Sequence, residues 1–249
     1  MTLILAAPNH PAITEVLYHV PAKDAGDANR DGARDPAGDE FVEITNLSGS
    51  PIDLGGYAII DSDTWWFLSE RGTKPVDLAA DVEGKNVLFV FPACRLEPGA
   101  SAVVFNGFEM KSGGKTGPIG TKDKPAGPNQ GFGGALVFTA GITTAKAGFG
   151  NDGDWVALLS PAGEFLQVVR WGKPDHAPPA KAPVSDAPEQ PKGSAQRAKV
   201  RGEWVFVDHA TLGEGGNLFS PGVGDAGVPK EGSQPGDDGR EPGRRPPLR

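Results

Sequence analysis

Glycine and proline interrupt this chain too often for long helices to form over most of its length. They number 36 and 24, about a quarter of the 249 residues, and both residue types end regular structure. Between them lie short runs of β-branched and aromatic residues, which are typical of strands. No amphipathic pattern of ten or more residues indicates a helix. The fold class predicted from these features is all-β.

Nine runs predict strands, and the frequent turns between them indicate an immunoglobulin-like β-sandwich. The clearest hairpin joins residues 155–159 to 165–169 through the turn Ser160-Pro161-Ala162-Gly163. Neither arm alternates cleanly between apolar and polar residues, which suits strands that are buried on both faces. The predicted strands are 12–20, 40–47, 56–61, 86–91, 101–106, 135–138, 154–160, 164–171 and 203–208.

Composition also divides the chain into segments. Residues 1–11 are predicted to be an N-terminal extension, 12–224 a single sandwich domain, and 225–249 a disordered tail of glycine, proline and charged residues. Long loop insertions are expected at 63–84 and 108–134, and the Pro- and Ala-rich stretch 173–193 is expected to be an extended linker.

Charge and cysteine usage exclude several classes of function. The formal net charge of −8 disfavours nucleic-acid binding, which needs clustered Lys and Arg. A single cysteine, Cys94, excludes an intramolecular disulfide and a multi-thiolate zinc site. No apolar run approaches the length of a membrane span.

One loop has the residue pattern of a calcium site. Asp27, Asn29 and Asp31 alternate before Gly32, as oxygen ligands do at positions 1, 3 and 5 of a calcium-binding loop whose position 6 is glycine. Ala33 would offer its carbonyl oxygen at position 7. Calcium is therefore the expected cofactor, in a structural role, and a solvated acidic turn is the alternative.

The end of this loop departs from the helix-loop-helix calcium site. Arg34 and Gly38 stand where that site has an apolar residue and a bidentate glutamate. Asp35 would bind directly or through water, and the closing carboxylate would come from Asp39 or Glu40. A second acidic stretch, Asn151-Asp152-Gly153-Asp154, favours an ordinary turn; the alternatives are that it holds another ion or completes the first site across the sandwich.

Trp65 and Trp66 are the candidate binding residues. They stand beside acidic residues in the stretch Asp61-Ser62-Asp63-Thr64-Trp65-Trp66-Phe67. On a strand, adjacent side chains point to opposite faces, so one tryptophan would cover the core and the other would offer a surface for a protein or a glycan. Simple burial, with one ring in the core and the other under the adjacent insertion as a lid, is the interpretation slightly favoured over such a surface.

The order of several short blocks resembles the lamin tail domain family in its bacterial form. The blocks include Ile13-Thr14-Glu15-Val16-Leu17, the acidic loop running into Asp39-Glu40-Phe41-Val42-Glu43, and Pro51-Ile52-Asp53-Leu54-Gly55-Gly56-Tyr57. Later blocks are Leu96-Glu97-Pro98-Gly99, the 151–172 hairpin, and Asn217-Leu218-Phe219-Ser220-Pro221-Gly222. The resemblance spans residues 12–224. It implies an immunoglobulin-type sandwich that is generally non-catalytic and often accompanies secreted or surface proteins.

These observations together predict a non-catalytic binding or scaffold module, located outside the cell or on its surface, whose calcium loop braces the fold. The expected partner is a protein or a polysaccharide, with no nucleic acid. A rival hypothesis is a calcium-dependent hydrolase or nuclease accessory domain that uses Asp39, Glu40 and Glu43. The four histidines are scattered through the chain, and none has a catalytic spacing.

Overall fold

A seven-stranded sheet and a five-stranded sheet form the body of the protein. The computed structural model describes residues 9–72, 88–108, 110, 117–212 and 217–223. Its strands are β1 (Ala12–Leu17), β2 (Phe41–Thr45), β3 (Ile52–Asp53), β4 (Ala58–Asp61), β5 (Leu88–Val90), β6 (Arg95–Leu96), β7 (Ser101–Phe105), β8 (Pro128–Asn129), β9 (Ala135–Thr139), β10 (Gly153–Leu159), β11 (Phe165–Gly172), β12 (Val184–Asp186), β13 (Ala195–Val200) and β14 (Glu203–Asp208).

The two large sheets share one core. The strand order is β14-β13-β1-β2-β7-β9-β8 in the larger sheet and β12-β11-β10-β4-β5 in the smaller one, while β3 and β6 pair separately. Ile13, Val42 and Ile44 from the larger sheet join Ile59 and Val156 from the smaller sheet in a single buried cluster. The predicted all-β, immunoglobulin-like sandwich is therefore confirmed.

The outer face of the seven-stranded sheet is also covered. Phe41, Val103 and Phe105 form a second buried cluster, against which Phe219 packs. Phe219 belongs to residues 217–223, here called the C-terminal strap. Since β2 is buried on both sides, its unbroken run of mostly apolar residues follows from its position in the sheet.

The nine predicted strands are confirmed, with most bounds shorter than expected. The hairpin of β10 and β11 closes as predicted, with the Ser160 N–H donating to the Glu164 carbonyl at 2.9 Å. The five remaining strands were missed because four of them span only two or three residues, and β13 mixes charged and apolar positions. Two of these strands correct the loop assignments. β8 lies inside the expected loop 108–134, and β12 lies inside the expected linker 173–193, where it pairs in parallel with β11.

The expectation of no helix of ten residues was wrong, because α1 spans Ser62–Arg71. The Asp61 side chain caps it by accepting the Thr64 N–H at 2.8 Å, and Gly72 ends it with φ at +63°. Trp65 and Trp66 thus lie on a helix and not on a strand. Capping at both ends was the sequence signal that could have predicted this helix.

Three sequence predictions fall on residues that the structure does not describe. They are most of the N-terminal extension, the second half of the 63–84 insertion, and the tail after Val223.

A candidate calcium loop and an exposed tryptophan

The acidic loop connects β1 to β2 and curls tightly on itself. Arg30 and Gly32 have φ of +60° and +92°, a region that costs little for glycine and more for arginine. Asn29 is buried although charged residues lie close to it in the sequence. This part of the loop is therefore turned toward the interior of the protein. Glycine at the sixth loop position thus plays the role that the sequence predicted for it.

The carboxylates inside the loop accept backbone N–H groups. Asp27 accepts from Asp31 at 3.1 Å and from Gly32 at 3.0 Å. The Asn29 side-chain oxygen also accepts the Asp31 N–H at 2.9 Å, and Asp31 accepts from Ala33 at 2.9 Å. These bonds hold the side chains at positions 1, 3 and 5 against the loop backbone.

Asp39 and Glu40 differ in where their side chains lie. Asp39 returns to the loop, where its two oxygens accept the N–H groups of Asn29 at 2.9 Å and Asp35 at 2.6 Å. Glu40 instead accepts from the Asn106 side chain at 2.6 Å and from the Phe149 N–H at 2.8 Å. Successive side chains entering a strand point to opposite faces, so only Asp39 joins Asp27 and Asn29.

Burial and neighbouring charge divide the acidic residues in the same way. Burial raises the pKa of Asp39 to about 6, with the Asp27 charge adding to the increase. Burial also raises the pKa of Glu40 well above its usual value, and the charges of Asp154 and Asp35 add to it. Asp39 is therefore electrostatically linked to Asp27, whereas Glu40 is linked to Asp35 and Asp154.

The two arginines of the loop bind carbonyl oxygens. Arg34 donates to Val20 and Pro21 at 2.9 and 2.7 Å, and Arg30 donates to the Gly131 carbonyl while its guanidinium lies over Phe132. Both contacts tie the loop to the rest of the sandwich.

The loop is charged and rich in oxygen atoms, and its carboxylates are spread along the backbone. Within the described part of the chain, no three Asp, Glu, His or Cys side chains group closely enough to hold a metal. The predicted ligand set also needs the Asn29 amide and the Ala33 carbonyl. The Asn29 side-chain nitrogen is buried and has no hydrogen-bond partner. The residue types are hard oxygen donors, the kind of ligand that calcium prefers.

A second acidic group lies at the start of α1. Asp154 accepts the Ser62 hydroxyl at 2.5 Å and the Gly150 N–H at 3.0 Å. Burial raises the pKa of both Asp61 and Asp154, and the Asp154 charge adds to the shift at Asp61. Asp154 thus belongs with Glu40 and the helix N-terminus, away from Asp27.

Sequence reasoning missed a pair of buried glutamates. Glu15 and Glu43 are both fully buried and lie opposite each other on β1 and β2. Glu15 accepts from Ser194 and from the Ser220 N–H, the latter at 2.9 Å. Glu43 accepts the Gly222 N–H at 2.7 Å. Their one sequence signal is a glutamate in the middle of each apolar strand.

The same geometry separates the carboxylates of the rival enzyme hypothesis. Asp39 lies on the loop, Glu40 points to Asn106, and Glu43 lies under the strap, where it also accepts the Thr14 hydroxyl at 2.6 Å. These three carboxylates therefore do not converge on one reacting centre.

The two tryptophans have different surroundings on α1. Trp65 packs edge-on against Phe165, with ring centroids 5.0 Å apart, and is partly buried in the cluster beneath the helix. Trp66 is 49% exposed and stacks on His176 with centroids 5.2 Å apart and planes 11° apart. One tryptophan thus anchors the helix, and the other is about half exposed among the described residues.

A family model described as Lamin Tail Domain matches residues 6–173. The chain belongs to the lamin tail domain family. The family has an immunoglobulin-like fold, serves in protein interaction and is generally non-catalytic. The match covers the acidic loop, α1 and the β10–β11 hairpin, and it ends before β12, β13, β14 and the strap.

Comparison with individual proteins adds little to the family assignment. No curated protein matches the chain. Among solved structures, a DUF4876 family protein from Bacteroides thetaiotaomicron is similar at 12% identity and a TM-score of 0.38, over 92% of this chain and 75% of that chain. None of the helices that the structure describes is long and apolar enough to cross a bilayer.

Proposed function

We propose that this lamin tail domain is a non-catalytic association module of the cell exterior whose β1–β2 loop binds calcium as a structural staple. The observation that carries the proposal is the curl of the loop, which turns Asp39 back onto the residues around Asp27. A cation there would join the end of β1 to the start of β2.

The proposed ligands are the side chains of Asp27, Asn29, Asp31 and Asp39 with the Ala33 carbonyl. This set is made of hard oxygen donors, which Ca²⁺ prefers at coordination numbers of six to eight. Asp35 is turned toward the next bend, where it accepts the N–H groups of Ala37 and Gly38 at 2.9 and 2.6 Å, so its contribution would come through water.

The role outside the cell follows from the affinity expected of such a site. Calcium sites of extracellular modules have dissociation constants of about 10⁻⁴–10⁻³ M, which suits the calcium levels found outside cells. The site would be filled there permanently and would brace the fold instead of sensing calcium.

Adding 10 mM calcium to the chelator-treated protein is expected to raise its melting temperature. A ligand present at about 10–100 times its dissociation constant stabilises the folded state by about 1.4–2.7 kcal/mol. For a domain of this size that corresponds to an increase of roughly 3–10 °C. Differential scanning calorimetry in excess chelator and in calcium measures it, and an unchanged melt contradicts the calcium proposal.

Substitution at the two candidate closing residues tests the ligand set. Asp39→Asn and Asp31→Asn are expected to abolish the calcium-dependent increase in melting temperature, whereas Glu40→Gln keeps it because Glu40 faces Asn106. Asp123→Asn, at an exposed position, is the matched control. Loss of the calcium effect in Glu40→Gln but not in Asp39→Asn would overturn the assignment of Asp39.

A further inference from the structure

The surface around Trp66 has the properties of a small ligand site. Trp66 remains about half exposed after stacking on His176. The His176 Nε2 lies 3.7 Å from the Asp63 carboxylate. A flat aromatic face, with the imidazole of His176 stacked behind it, thus stands close to a carboxylate that can accept hydrogen bonds from a ligand.

This surface is held rigidly from below. Trp65, the preceding residue, packs under the helix against Phe165, which fixes the rotation of α1. The Trp155 indole N–H donates to the His176 carbonyl at 2.7 Å, which fixes the segment beneath the Trp66 ring. A site that is already ordered before binding loses less conformational entropy when a ligand arrives.

The neighbouring charges limit the class of ligand. Asp63 and Glu70 lie three residues before and four residues after Trp66, so all three share one face of the helix. Asp63 and Glu70 are exposed, as is Asp175 beside His176. Carboxylates on this side repel polyanions such as nucleic acid and acidic polysaccharide, and they accept hydrogen bonds from hydroxyl groups.

The aromatic geometry argues against a cationic ligand. A quaternary ammonium group is typically bound within a cage of several aromatic rings. Here Trp65 is turned inward and His176 lies flat against Trp66, so the described residues offer one platform without further aromatic walls. A single flat ring edged by carboxylates suits a ligand with one apolar face and equatorial hydroxyl groups.

We infer that Trp66, supported on one face by His176 and bordered by Asp63, is a binding platform for the pyranose rings of a neutral polysaccharide. One sugar ring would lie on the indole face opposite His176 while its hydroxyl groups bond to Asp63. The inference rests on the proposed role as an association module and names the class of partner for it.

Native gel electrophoresis through gels that contain soluble polysaccharides tests the inference on the full chain in calcium. The panel is hydroxyethylcellulose, xyloglucan, galactomannan and laminarin, with alginate as an anionic polymer. Migration of the wild-type protein is expected to be retarded by at least one neutral polymer and not by alginate. Absence of retardation on all four neutral polymers, or retardation by alginate alone, overturns the inference.

The chain supplies a matched control for the tryptophan. Trp204 is exposed to a similar extent, 46%, but the guanidinium of Arg197 lies over its ring at 4.1 Å. Trp66→Ala is expected to weaken binding about tenfold or more, Trp66→Tyr to restore much of it, and Trp204→Ala to leave it unchanged. Equal retardation of Trp66→Ala and wild type contradicts the platform, as does competition by choline but not by neutral oligosaccharide.

The two proposals fail separately. Trp66 is not among the proposed calcium ligands. A higher melting temperature in calcium without binding to any neutral polymer would therefore support the calcium proposal and contradict the binding platform. Conversely, retardation by a neutral polymer with no effect of calcium on the melting temperature would support the binding platform and contradict the calcium proposal.

Discussion

A chain that ends at Leu212 is expected to lose most of its stability, whereas a chain that ends at Val223 is expected to melt like the full-length protein. The difference between them contains the C-terminal strap. Urea unfolding followed by tryptophan fluorescence measures the free energy of unfolding of both chains. Equal stability of the two chains would contradict the structural role of the strap.

The size of this effect comes from the buried glutamates. Ser220 donates its N–H and hydroxyl to Glu15 at 2.9 and 3.2 Å, and Gly222 donates its N–H to Glu43 at 2.7 Å. A hydrogen bond contributes about 0.5–1.5 kcal/mol between neutral groups and about 1.5–3 kcal/mol when one group is charged, so three of them amount to roughly 2–9 kcal/mol. That is a large part of the 5–15 kcal/mol typical of a whole domain.

A point substitution tests the strap without shortening the chain. A Cβ atom on Gly193 would lie 1.8 Å from the Leu218 carbonyl oxygen, which also accepts the Ser194 N–H at 2.8 Å. Gly193→Ala is therefore expected to destabilise the protein in the same direction as truncation. Gly49→Ala is the control, because a Cβ there meets no atom within 4 Å.

Raising the pH of the calcium-free protein from 5 to 9 is expected to lower its free energy of unfolding. Burial raises the pKa of Glu15 from 4.5 to about 7 and the pKa of Asp39 from 3.8 to about 6. It raises the pKa of Asp61 to about 8. A folded state that holds protons more tightly than the unfolded state loses stability as they are released.

The direction and the pH window follow from these values. Below about pH 4 both states are protonated, so the stabilisation is fully present. It is lost as the pH rises through the folded-state values near 6 to 8. One pKa unit corresponds to about 1.4 kcal/mol, so Glu15 alone would account for about 3 kcal/mol.

Urea unfolding at several pH values in excess chelator measures the decline. Glu15→Gln is expected to make the decline between pH 5 and 8 smaller, while Glu203→Gln, at an exposed position, leaves it unchanged. Calcium is expected to reduce the contribution of Asp39 to this loss of stability, because the cation favours the ionised carboxylate. A protein that becomes more stable from pH 5 to 8 without calcium would contradict the expectation.

The fold was largely predictable because its signals are local. Strand runs such as 154–160 and turns such as 160–163 are determined by residues close together in the chain. The prediction failed at α1, where two tryptophans and a phenylalanine in succession look like a strand. There the caps at Asp61 and Gly72 decided the outcome, together with burial of Trp65 against Phe165.

The candidate sites were predictable only in part. The alternation of Asp27, Asn29 and Asp31 before Gly32 indicated a curled acidic loop, and the structure has that curl. Whether Asp39 or Glu40 returns to it was left open by the sequence. The answer depends on Asn106 and Phe149, which lie 66 and 109 residues from Glu40 along the chain.

The sequence by itself determined the all-β class, the family, the position of the acidic loop and the β10–β11 hairpin, because each depends on short-range patterns of residues. Only the tertiary structure decided that Glu15 and Glu43 are buried side by side under the strap, and that Trp66 stays exposed while Trp65 does not. Burial, pKa and exposure depend on what packs against a residue from distant parts of the chain. The register of the strands and the packing of the C-terminal strap determine those neighbours, and both depend on contacts between residues far apart in the chain.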